Sequence, residues 1–287
     1  MAAPSTLIEV DGYPPQGGYA EFRAVHRSFG GEAAGGAYVL ARLGIPTKLA
    51  GTRLPPGPAA EWVLTTLAGA GVDCSSLHID PEATVEEYVV TSGGDRTILA
   101  AYGSMLADRR WDPPSRTDIA ASRLVCLDPF FGAESEQAAE WSREAGVPYV
   151  TIDTEPDSPL AVAAAAIVVS KEFTDRTFGE AGPAELFDAY AQHCPGLVVL
   201  TRGGEPIWFG RSGEEPRRQP ALEVEVVDTA GAGDSFRAGV IRGMLRSEPD
   251  DEVVRSAAAI AAMVCGTAPG VLRSPNEAQL RSFLTGH

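Results

Sequence analysis

Cysteine, histidine and lysine are scarce in this sequence, and their scarcity excludes several kinds of site. The four cysteines are scattered without a Cys-x-x-Cys pair, and the four histidines, which include the terminal His287, never reach His-Glu-x-x-His spacing. Neither a zinc site nor a disulfide framework is therefore indicated. The two lysines, Lys48 and Lys171, do not follow a glycine as Gly-x-x-x-x-Gly-Lys requires, which excludes a Walker A phosphate loop.

Long apolar runs and an excess of positive charge are missing as well. The longest apolar runs, such as residues 161–169, fall far short of the ~20 residues that a membrane-spanning helix needs. Residues 1–10 lack a basic segment followed by an apolar stretch, so no secretion signal is predicted. Acidic residues outnumber basic ones by 39 to 23, and the net charge of -16 disfavours nucleic acid and anionic membranes as partners. We expect a cytoplasmic, globular protein.

Alternating apolar and helical segments indicate the fold class. From residue 124 onward, short apolar runs alternate with helical stretches, which predicts a parallel sheet covered by helices. The runs expected to be strands are 124–127, 148–152, 166–169 and 197–201, and the helical stretches are 134–145 and 183–192.

The first hundred residues follow a different pattern. Residues 19–27, 86–91 and 96–101 partly alternate polar with apolar side chains, and residues 92–95 read as a hairpin turn. This pattern predicts a small antiparallel flap beside the main sheet. Such a flap is either the lid of an active site or an ordinary edge hairpin.

The strongest local signal is VVDTAGAGDSF at residues 226–236, an apolar strand end that leads through small residues into a predicted helix at 235–245. Gly231, Ala232 and Gly233 have no bulky side chains, so backbone N–H groups at a helix N-terminus can approach an anion closely. Asp234 follows at the start of the helix, where it can stand beside a bound phosphate and accept a proton from an attacking alcohol. One interpretation of the segment is therefore an anion site with Asp234 as a proton acceptor.

Two other interpretations of this segment start from the same residues. Asp234 can serve only as a helix cap, with the glycines making a tight turn, and the spacing alone does not exclude this. A dinucleotide-binding fingerprint would need a third glycine where Phe236 stands, and would be expected earlier in the chain. A dehydrogenase is therefore disfavoured.

The run DTAGAGD at residues 228–234 resembles the C-terminal signature of the ribokinase-like (PfkB) family of sugar kinases. A second run, GGEAAGGA at 30–37 leading to ARLG at 41–44, resembles the N-terminal glycine-rich signature of that family. Weaker matches at 94–98, 168–172, 200–204 and 265–270 extend the resemblance over nearly the whole chain. The resemblance implies a three-layer α/β/α fold with a mostly parallel central sheet and a small antiparallel β lid. It implies one domain over 1–287, with lid strands drawn from about 6–28 and 85–102.

The resemblance also implies a reaction and a set of site residues. An ATP-dependent carbohydrate kinase is implied, with ATP and Mg²⁺ as cofactors and Asp234 as the base. The N–H groups of Gly231, Ala232 and Gly233, together with magnesium, would stabilise the transferring phosphoryl group. Family members hold their sugar between the glycine-rich turn and the lid. The substrate-binding residues that this implies are Gly30, Gly31, Glu32, Gly35, Arg96 and Asp234. The candidate nucleotide-binding residues are Lys171, Thr201, Gly203, Thr229, Ala262 and Cys265.

The sequence departs from the family pattern in three places. The usual opening strand is absent, and Ser5 stands where family members place a sugar-binding aspartate, so either the start is shortened or the pocket differs. Glu32 and Gly35 occupy positions where polar amides are common. The usual Asn-x-x-Glu is replaced by SKEF at 170–173, for which Asp153 or Glu155 are candidate substitutes. No magnesium ligand is assigned.

These departures leave the substrate open. Ketohexokinase-like and sulfofructose-kinase-like members depart in a similar way, which favours a ketose or related keto-sugar. A nucleoside kinase of the same fold and a catalytically weak nucleotide or sugar sensor remain as alternatives. The exposed edges of the lid, and the frequency of such dimers among relatives, suggest a homodimer through the lid.

Overall fold

A computed structural model describes residues 1–93 and 95–286 of the chain. Gly94 in the predicted hairpin turn and His287 lie outside the described residues. The chain divides into two compact units. Unit 1 contains Met1–Asp112, Glu223–Ala238 and the described residues from Ala259 onward, and unit 2 contains Pro113–Leu222 and Gly239–Ala258.

Unit 1 begins with strands and helices that alternate irregularly. Its strands up to residue 112 are β1 (Ala3–Val10), β2 (Phe22–Gly30), β3 (Thr47–Ala50), β4 (Val72–Ser76), β5 (Glu87–Ser92) and β6 (Asp95–Ala100). Its helices over the same part of the chain are α1 (Glu32–Arg42), α2 (Pro58–Ala70) and α3 (Gly103–Ala107). Pro58 at the first helical position favours the start of α2, and Gly71 in the left-handed conformation ends it.

A four-stranded sheet with the order β2-β1-β5-β6 is the main feature of unit 1. The β1–β2 and β5–β6 pairs are antiparallel, and the central β1–β5 pair is parallel. The alternation at 19–27, 86–91 and 96–101 predicted three of these strands, with ends that differ by one to three residues. Strand β1 falls largely within the range of about 6–28 from which the resemblance drew lid strands, but Pro4 and the mixed polar sequence of Ala3–Val10 hide its own alternation.

Period-two alternation gives the two faces of this sheet different properties. The register pairs Ser5 with Glu87 and, two residues further along β5, Val89 with Leu7. These four side chains are buried on one face. The opposite face carries Tyr88 and its β6 partner Leu99, which are 41% and 59% exposed. A slip of one residue would exchange the two faces, so the buried apolar residues determine the register.

Unit 2 contains the strand, helix, strand repeat that the sequence predicts. Its strands are β7 (Val125–Leu127), β8 (Tyr149–Ile152), β9 (Ala166–Ser170), β10 (Leu197–Thr201), β11 (Ile207–Gly210) and β12 (Arg217–Gln219). Its helices up to residue 222 are α4 (Arg116–Ala121), α5 (Ala133–Glu144), α6 (Lys171–Phe178) and α7 (Pro183–His193). The sheet order is β12-β11-β10-β9-β8-β7.

The sheet of unit 2 is parallel from β7 to β10, and β11 and β12 extend it in antiparallel fashion. Strands β9 and β10 are continuous apolar runs because parallel strands are covered on both faces. Their buried side chains pack with Phe187 and Tyr190 of α7, and the fully buried Tyr149 lies in the same core.

Two long helices complete the chain before its short last helix. Helix α8 (Ala232–Leu245) begins in unit 1 and continues in unit 2, and helix α9 (Asp250–Cys265) begins in unit 2 and ends in unit 1. The last helix is α10 (Glu277–Gly286). Within the described residues, no helix has the length and apolar character needed to cross a membrane.

Candidate active site

The segment before α8 is a turn anchored by Asp228, which is 2% exposed. Its Oδ1 accepts a hydrogen bond from the Ala230 N–H (2.8 Å), and its Oδ2 accepts one from the Gly270 N–H (3.2 Å). The N–H groups of Val227 and Asp228 donate to the carbonyl oxygen of Cys265 (2.8 and 3.1 Å). Asp228 therefore holds the turn in place, and Cys265 contacts the turn through its main chain.

Gly231 is required by the geometry of this turn. Its φ is 76°, in the left-handed region, and a Cβ at this position would overlap the side chain of Val271. Its carbonyl oxygen accepts hydrogen bonds from both the N–H (2.9 Å) and the Oγ (2.7 Å) of Ser235. Any other residue at position 231 would be strained and would displace Val271.

The first turn of α8 contains main-chain N–H groups that come before the helical hydrogen bonds. The bond from the Ser235 N–H to Gly231 is the first i to i−4 bond of α8, so the N–H groups of Gly233 and Asp234 precede the helical ladder. The Ala232 N–H donates to Thr229 over 3.3 Å. Gly233 is exposed, and the position of its absent Cβ has no atom within 4 Å. Open space next to the positive end of a helix favours an anion.

Asp234 lies against α1 of the glycine-rich segment. A Cβ on Gly35 would be 2.8 Å from Asp234 Oδ2, so the carboxylate occupies the space that a side chain at Gly35 would fill. The Asp234 side chain is 22% exposed, and its Oδ1 lies 3.9 Å from Nη2 of Arg237. The carboxylate is thus held by close packing and by a neighbouring cation, and it remains accessible from solvent.

Arg237 is a buried cation one helical turn after Asp234, with 2% of its side chain exposed. Its Nη2 donates a hydrogen bond to the Glu32 carbonyl oxygen, in the first residue of α1. A Cβ on Gly36 would be 3.7 Å from the same nitrogen, which is ordinary van der Waals contact. Gly35 and Gly36 therefore face Asp234 and Arg237 of α8 respectively.

The turn at Gly30 and Gly31 is packed from two sides. Gly31 has a φ of 84°, and a Cβ there would be 2.5 Å from the main-chain oxygen of Met1. A Cβ on Gly30 would be 2.5 Å from Oε1 of Glu87. The two glycines allow the chain start and the Glu87 carboxylate to approach the beginning of α1.

Glu87 is a buried carboxylate, 8% exposed, and it accepts two hydrogen bonds. The Ser5 Oγ donates to its Oε1 (2.9 Å), and the Tyr102 hydroxyl donates to its Oε2 (2.7 Å). The pKa of Tyr102 is raised far above its usual value, first by burial and then by the negative charges of Glu87, Glu32 and Asp234. Tyr102 therefore stays a neutral donor, and three carboxylates act on it together.

Arg96 lies on β6, exposed to solvent. Its register partner is Thr91, two pleats along β5 from Glu87, which places Arg96 on the same face of the sheet as Glu87. The Arg96 Nη1 donates to the carbonyl oxygen of Thr229 over 2.9 Å. Arg96 and Thr229, predicted for different ligands, are therefore in direct contact.

Three of the candidate nucleotide-binding residues lie in unit 2, near the carboxyl ends of β9 and β10. Lys171 is the first residue of α6, and its Nζ lies 3.4 Å from Glu205 Oε1. Thr201 ends β10, and its Oγ1 donates to the Val169 carbonyl oxygen over 3.5 Å. Gly203 follows with a φ of 63°. The other three, Thr229, Ala262 and Cys265, lie in unit 1, where Ala262 is 9% exposed.

The segment that replaces Asn-x-x-Glu is bonded to Asp153. Oδ1 and Oδ2 of Asp153 accept hydrogen bonds from the N–H (2.7 Å) and the Oγ (2.9 Å) of Ser170. The Ser170 Oγ in turn accepts a bond from the Phe173 N–H and caps α6. Asp153 is thus tied to the replaced motif, whereas Glu155 is exposed.

No group of three or more histidine, cysteine, aspartate or glutamate side chains converges on one point among the described residues. The protein side chains therefore do not form a complete magnesium cage.

Several contributors to the site were missed from the sequence. Glu87 could have been identified from the sequence, because it stands at the same two-residue spacing as Val85 and Val89. Both valines are buried, so this spacing places Glu87 on the inner face of β5. Arg237 also left a signal, as a charge inside an otherwise apolar stretch of α8. Tyr102 left none, since it precedes a five-residue helix without a periodic pattern.

Known proteins are similar to this chain in sequence and in fold. The family model described as pfkB family carbohydrate kinase matches residues 4–275. A fructokinase from Rhizobium leguminosarum bv. trifolii is 30% identical over 269 residues, covering 85% of this chain and 76% of that protein.

Solved structures share the fold along the full length of the chain. A protein from Agrobacterium tumefaciens assigned as a ribokinase has a TM-score of 0.89 at 23% identity, with coverage of 100% of this chain and 95% of that one. The Arabidopsis thaliana ribokinase solved with ribose and ATP has a TM-score of 0.82 at 22% identity, with coverage of 99% and 96%. The two signatures, the fold and the family match lead to one conclusion: the chain belongs to the pfkB family of carbohydrate kinases.

Proposed function

We propose that this carbohydrate kinase transfers the γ-phosphoryl group of ATP to a hydroxyl of a small sugar, with Asp234 as the general base. The observation that carries the proposal is the position of the Asp234 carboxylate. It stands in the first turn of α8, beside N–H groups that precede the helical ladder, and it is 22% exposed. A carboxylate so placed can reach both a hydroxyl and a phosphoryl group.

In this reaction, the protein's contribution is mainly position and charge. Asp234 would accept the proton of the attacking hydroxyl, because a carboxylate within hydrogen-bond reach can act as a base. The N–H groups of Gly231, Ala232 and Gly233 would stabilise negative charge on the transferring phosphoryl group. Magnesium, when bound with the nucleotide, would neutralise phosphate charge. Lys171, Thr201, Gly203, Thr229, Ala262 and Cys265 remain our candidates for nucleotide binding.

The sugar would contact the residues around the glycine-rich turn. We place it near Gly30, Gly31, Glu32 and Gly35, with Arg96 as a further contact, and we favour a ketose or a related keto-sugar. A fructokinase among the relatives supports a ketose.

The decisive experiment is the substitution Asp234→Asn. Loss of the base should reduce kcat by several orders of magnitude while leaving the Kd for ATP within about threefold, since binding does not need the proton acceptor. Glu185→Gln is a matched control, because Glu185 is an exposed carboxylate in the first turn of α7. An Asp234→Asn enzyme with unchanged kcat would remove Asp234 from the mechanism.

A screen of ADP release separates the alternatives. The panel contains ketoses, aldoses, keto-acids, sulfosugars and nucleosides, each at saturating ATP. Preferential turnover of nucleosides would establish a nucleoside kinase in place of a sugar kinase. Measurable ATP or sugar binding without turnover of any acceptor would establish a sensor.

We also propose that the chain forms a homodimer through the four-stranded sheet. The face of this sheet that carries Tyr88 and Leu99 also carries Val25, which is 50% exposed and pairs with Ile8. Several exposed apolar residues on one face of a sheet are typical of an interaction surface. Size-exclusion chromatography with light scattering should give twice the mass of one chain, and Leu99→Lys should restore the mass of one chain.

A further inference from the structure

The face of the sheet that carries Ser5 brings a carboxylate to the glycine-rich turn. Glu87 starts β5 and pairs with Ser5 of β1, so both side chains project from the same face of the sheet. The carboxylate then lies against Gly30, where a Cβ would be only 2.5 Å from Oε1. Glu87 is thus fixed beside the turn at which we place the sugar, in a position that a side chain at residue 30 would block.

Two hydrogen bonds orient the Glu87 carboxylate and leave it with further acceptor positions. Each carboxylate oxygen has about two acceptor positions. One bond from Ser5 reaches Oε1, and one bond from Tyr102 reaches Oε2. A carboxylate held in this way can accept further bonds from hydroxyl donors, which a sugar offers in abundance, whereas a phosphate or sulfonate oxygen offers no donor when ionised.

The charges around this position are unfavourable for an anion. The Glu87 carboxylate lies against Gly30, the Asp234 carboxylate lies against Gly35, and Glu32 is in the chain segment between these two glycines. Their negative charges would repel a ligand anion at the turn. Of the two nearby guanidinium groups, Arg96 donates to the Thr229 carbonyl oxygen. Arg237 donates to the Glu32 carbonyl oxygen and also lies 3.9 Å from Asp234, whose charge it partly offsets. The Glu87 carboxylate, in contrast, accepts its two bonds from the neutral hydroxyls of Ser5 and Tyr102, and it lies directly at the turn.

We infer that Glu87 is a specificity-determining residue that accepts hydrogen bonds from the hydroxyls of an uncharged acceptor sugar and discriminates against phosphorylated or sulfonated sugars. This inference rests on the proposed function, because it concerns the acceptor of the same reaction. Specificity here depends on repulsion of the wrong substrate as well as on attraction of the right one.

The unsubstituted protein provides the first test. ADP release is measured with fructose, fructose 1-phosphate, fructose 6-phosphate, ribose and ribose 5-phosphate as acceptors. We expect kcat/KM to be at least about tenfold higher for the better free sugar than for any of the phosphates. A higher kcat/KM for a sugar phosphate would overturn the inference.

Two variants at neighbouring positions test whether Glu87 is the source of the selectivity. Glu87→Gln removes the inner charge, and Glu86→Gln removes an exposed charge one residue earlier, where Glu86 accepts a bond from Tyr88. We expect Glu87→Gln to lower the ratio of kcat/KM for free sugar over sugar phosphate by at least about fivefold, and Glu86→Gln to leave it unchanged. An unchanged ratio in Glu87→Gln would overturn the assignment.

Tyr102→Phe provides a second test in case the Glu87→Gln protein does not fold. It removes one donor to Glu87 and keeps the charge, so it should raise KM for the free sugar and preserve the discrimination against phosphates. Loss of that discrimination in Tyr102→Phe would count against Glu87. The experiments distinguish the proposed function from the inference about Glu87. The absence of turnover with any sugar would refute the proposed function. Efficient turnover of sugar phosphates would refute only the inference.

Discussion

The carboxylate of Asp234 fills the space next to Gly35, where an added Cβ would approach its Oδ2 to 2.8 Å. The glycine belongs to the first signature segment and the aspartate to the second, about 200 residues later in the chain. Because Gly35 has no side chain, the Asp234 carboxylate can occupy the space next to it. A Cβ on the neighbouring Gly36 would lie 3.7 Å from Arg237 Nη2, which is ordinary van der Waals contact. Substitutions at the two glycines can therefore be compared directly.

Gly35→Ala should reduce kcat by about 10²-fold, because displacement of a base by about 1 Å has effects of this size. The KM for ATP should change little. Gly36→Ala is the matched control, since its Cβ would lie 3.7 Å from Arg237 Nη2 and should alter kcat by no more than about twofold. Steady-state kinetics of both variants checks the prediction, and equal effects on kcat would contradict it.

The two glycines before Asp234 should respond to alanine in opposite ways. Gly231→Ala should lower the free energy of unfolding by at least about 2 kcal/mol, because φ is positive and the methyl group would overlap Val271. Gly233→Ala should raise it by about 0.5–1 kcal/mol, because Gly233 lies within α8 with open space around its Cβ position. Urea denaturation measures both changes.

Gly233→Ala should nevertheless impair catalysis. Its methyl group would enter the space in which we place the phosphoryl group, so kcat/KM for ATP should fall although the protein is more stable. An active and stable Gly233→Ala enzyme would show that this space is not used.

Arg237 is expected to act as a positioning residue for Asp234. Arg237→Met should lower kcat by about 10²-fold through loss of the bond to Glu32 and of the cation 3.9 Å from Asp234, with little change in KM for ATP. Arg237→Lys should recover part of kcat, because it restores the charge. A methionine variant that loses stability but retains kcat would indicate a structural role alone.

Asp250 should make stability depend on pH. It forms a bidentate ion pair with Arg211 (2.8 Å for both bonds), and these hydrogen bonds lower its pKa in the folded state. The resulting stabilisation is fully present above the unfolded pKa, about 3.9, and is lost as the pH falls through the lower folded value. Asp250→Asn should therefore cost on the order of 1–2 kcal/mol at pH 7 and progressively less below about pH 4.

Asp251→Asn is the control for this prediction. Asp251 lies in the same turn of α9 and pairs with Arg217, but its side chain is 63% exposed, so its loss should change stability by less than about 0.5 kcal/mol. Thermal unfolding from pH 3 to pH 7 measures both variants. A cost of Asp250→Asn that grows toward acid would contradict the assignment.

The elements of unit 2 could be predicted because their signals are local. Residues 166–169 and 197–201 are apolar runs long enough for a strand, and they form β9 and β10 almost as predicted. Strands β11 and β12 were not predicted, since each has only three or four residues and depends on pairing with β10 or with each other. The first strand lay within the lid range of about 6–28, but its own pattern did not show it, because Ala3–Val10 contains a proline and gains its strand geometry from two neighbours.

The sequence by itself determined the chemical class of this protein, through the resemblance of its two glycine-rich motifs to a known family of sugar kinases. The positions of the two lysines excluded a Walker A loop, the scattered cysteines indicated no zinc site, and the small-residue turn before Asp234 indicated an anion site, because such a turn has a local cause in helix geometry. Only the tertiary structure brought Ser5, Glu87 and Tyr102 together and placed Asp234 against Gly35. These contacts join residues far apart in the chain, and their distances follow from strand register and helix packing, which no local pattern encodes.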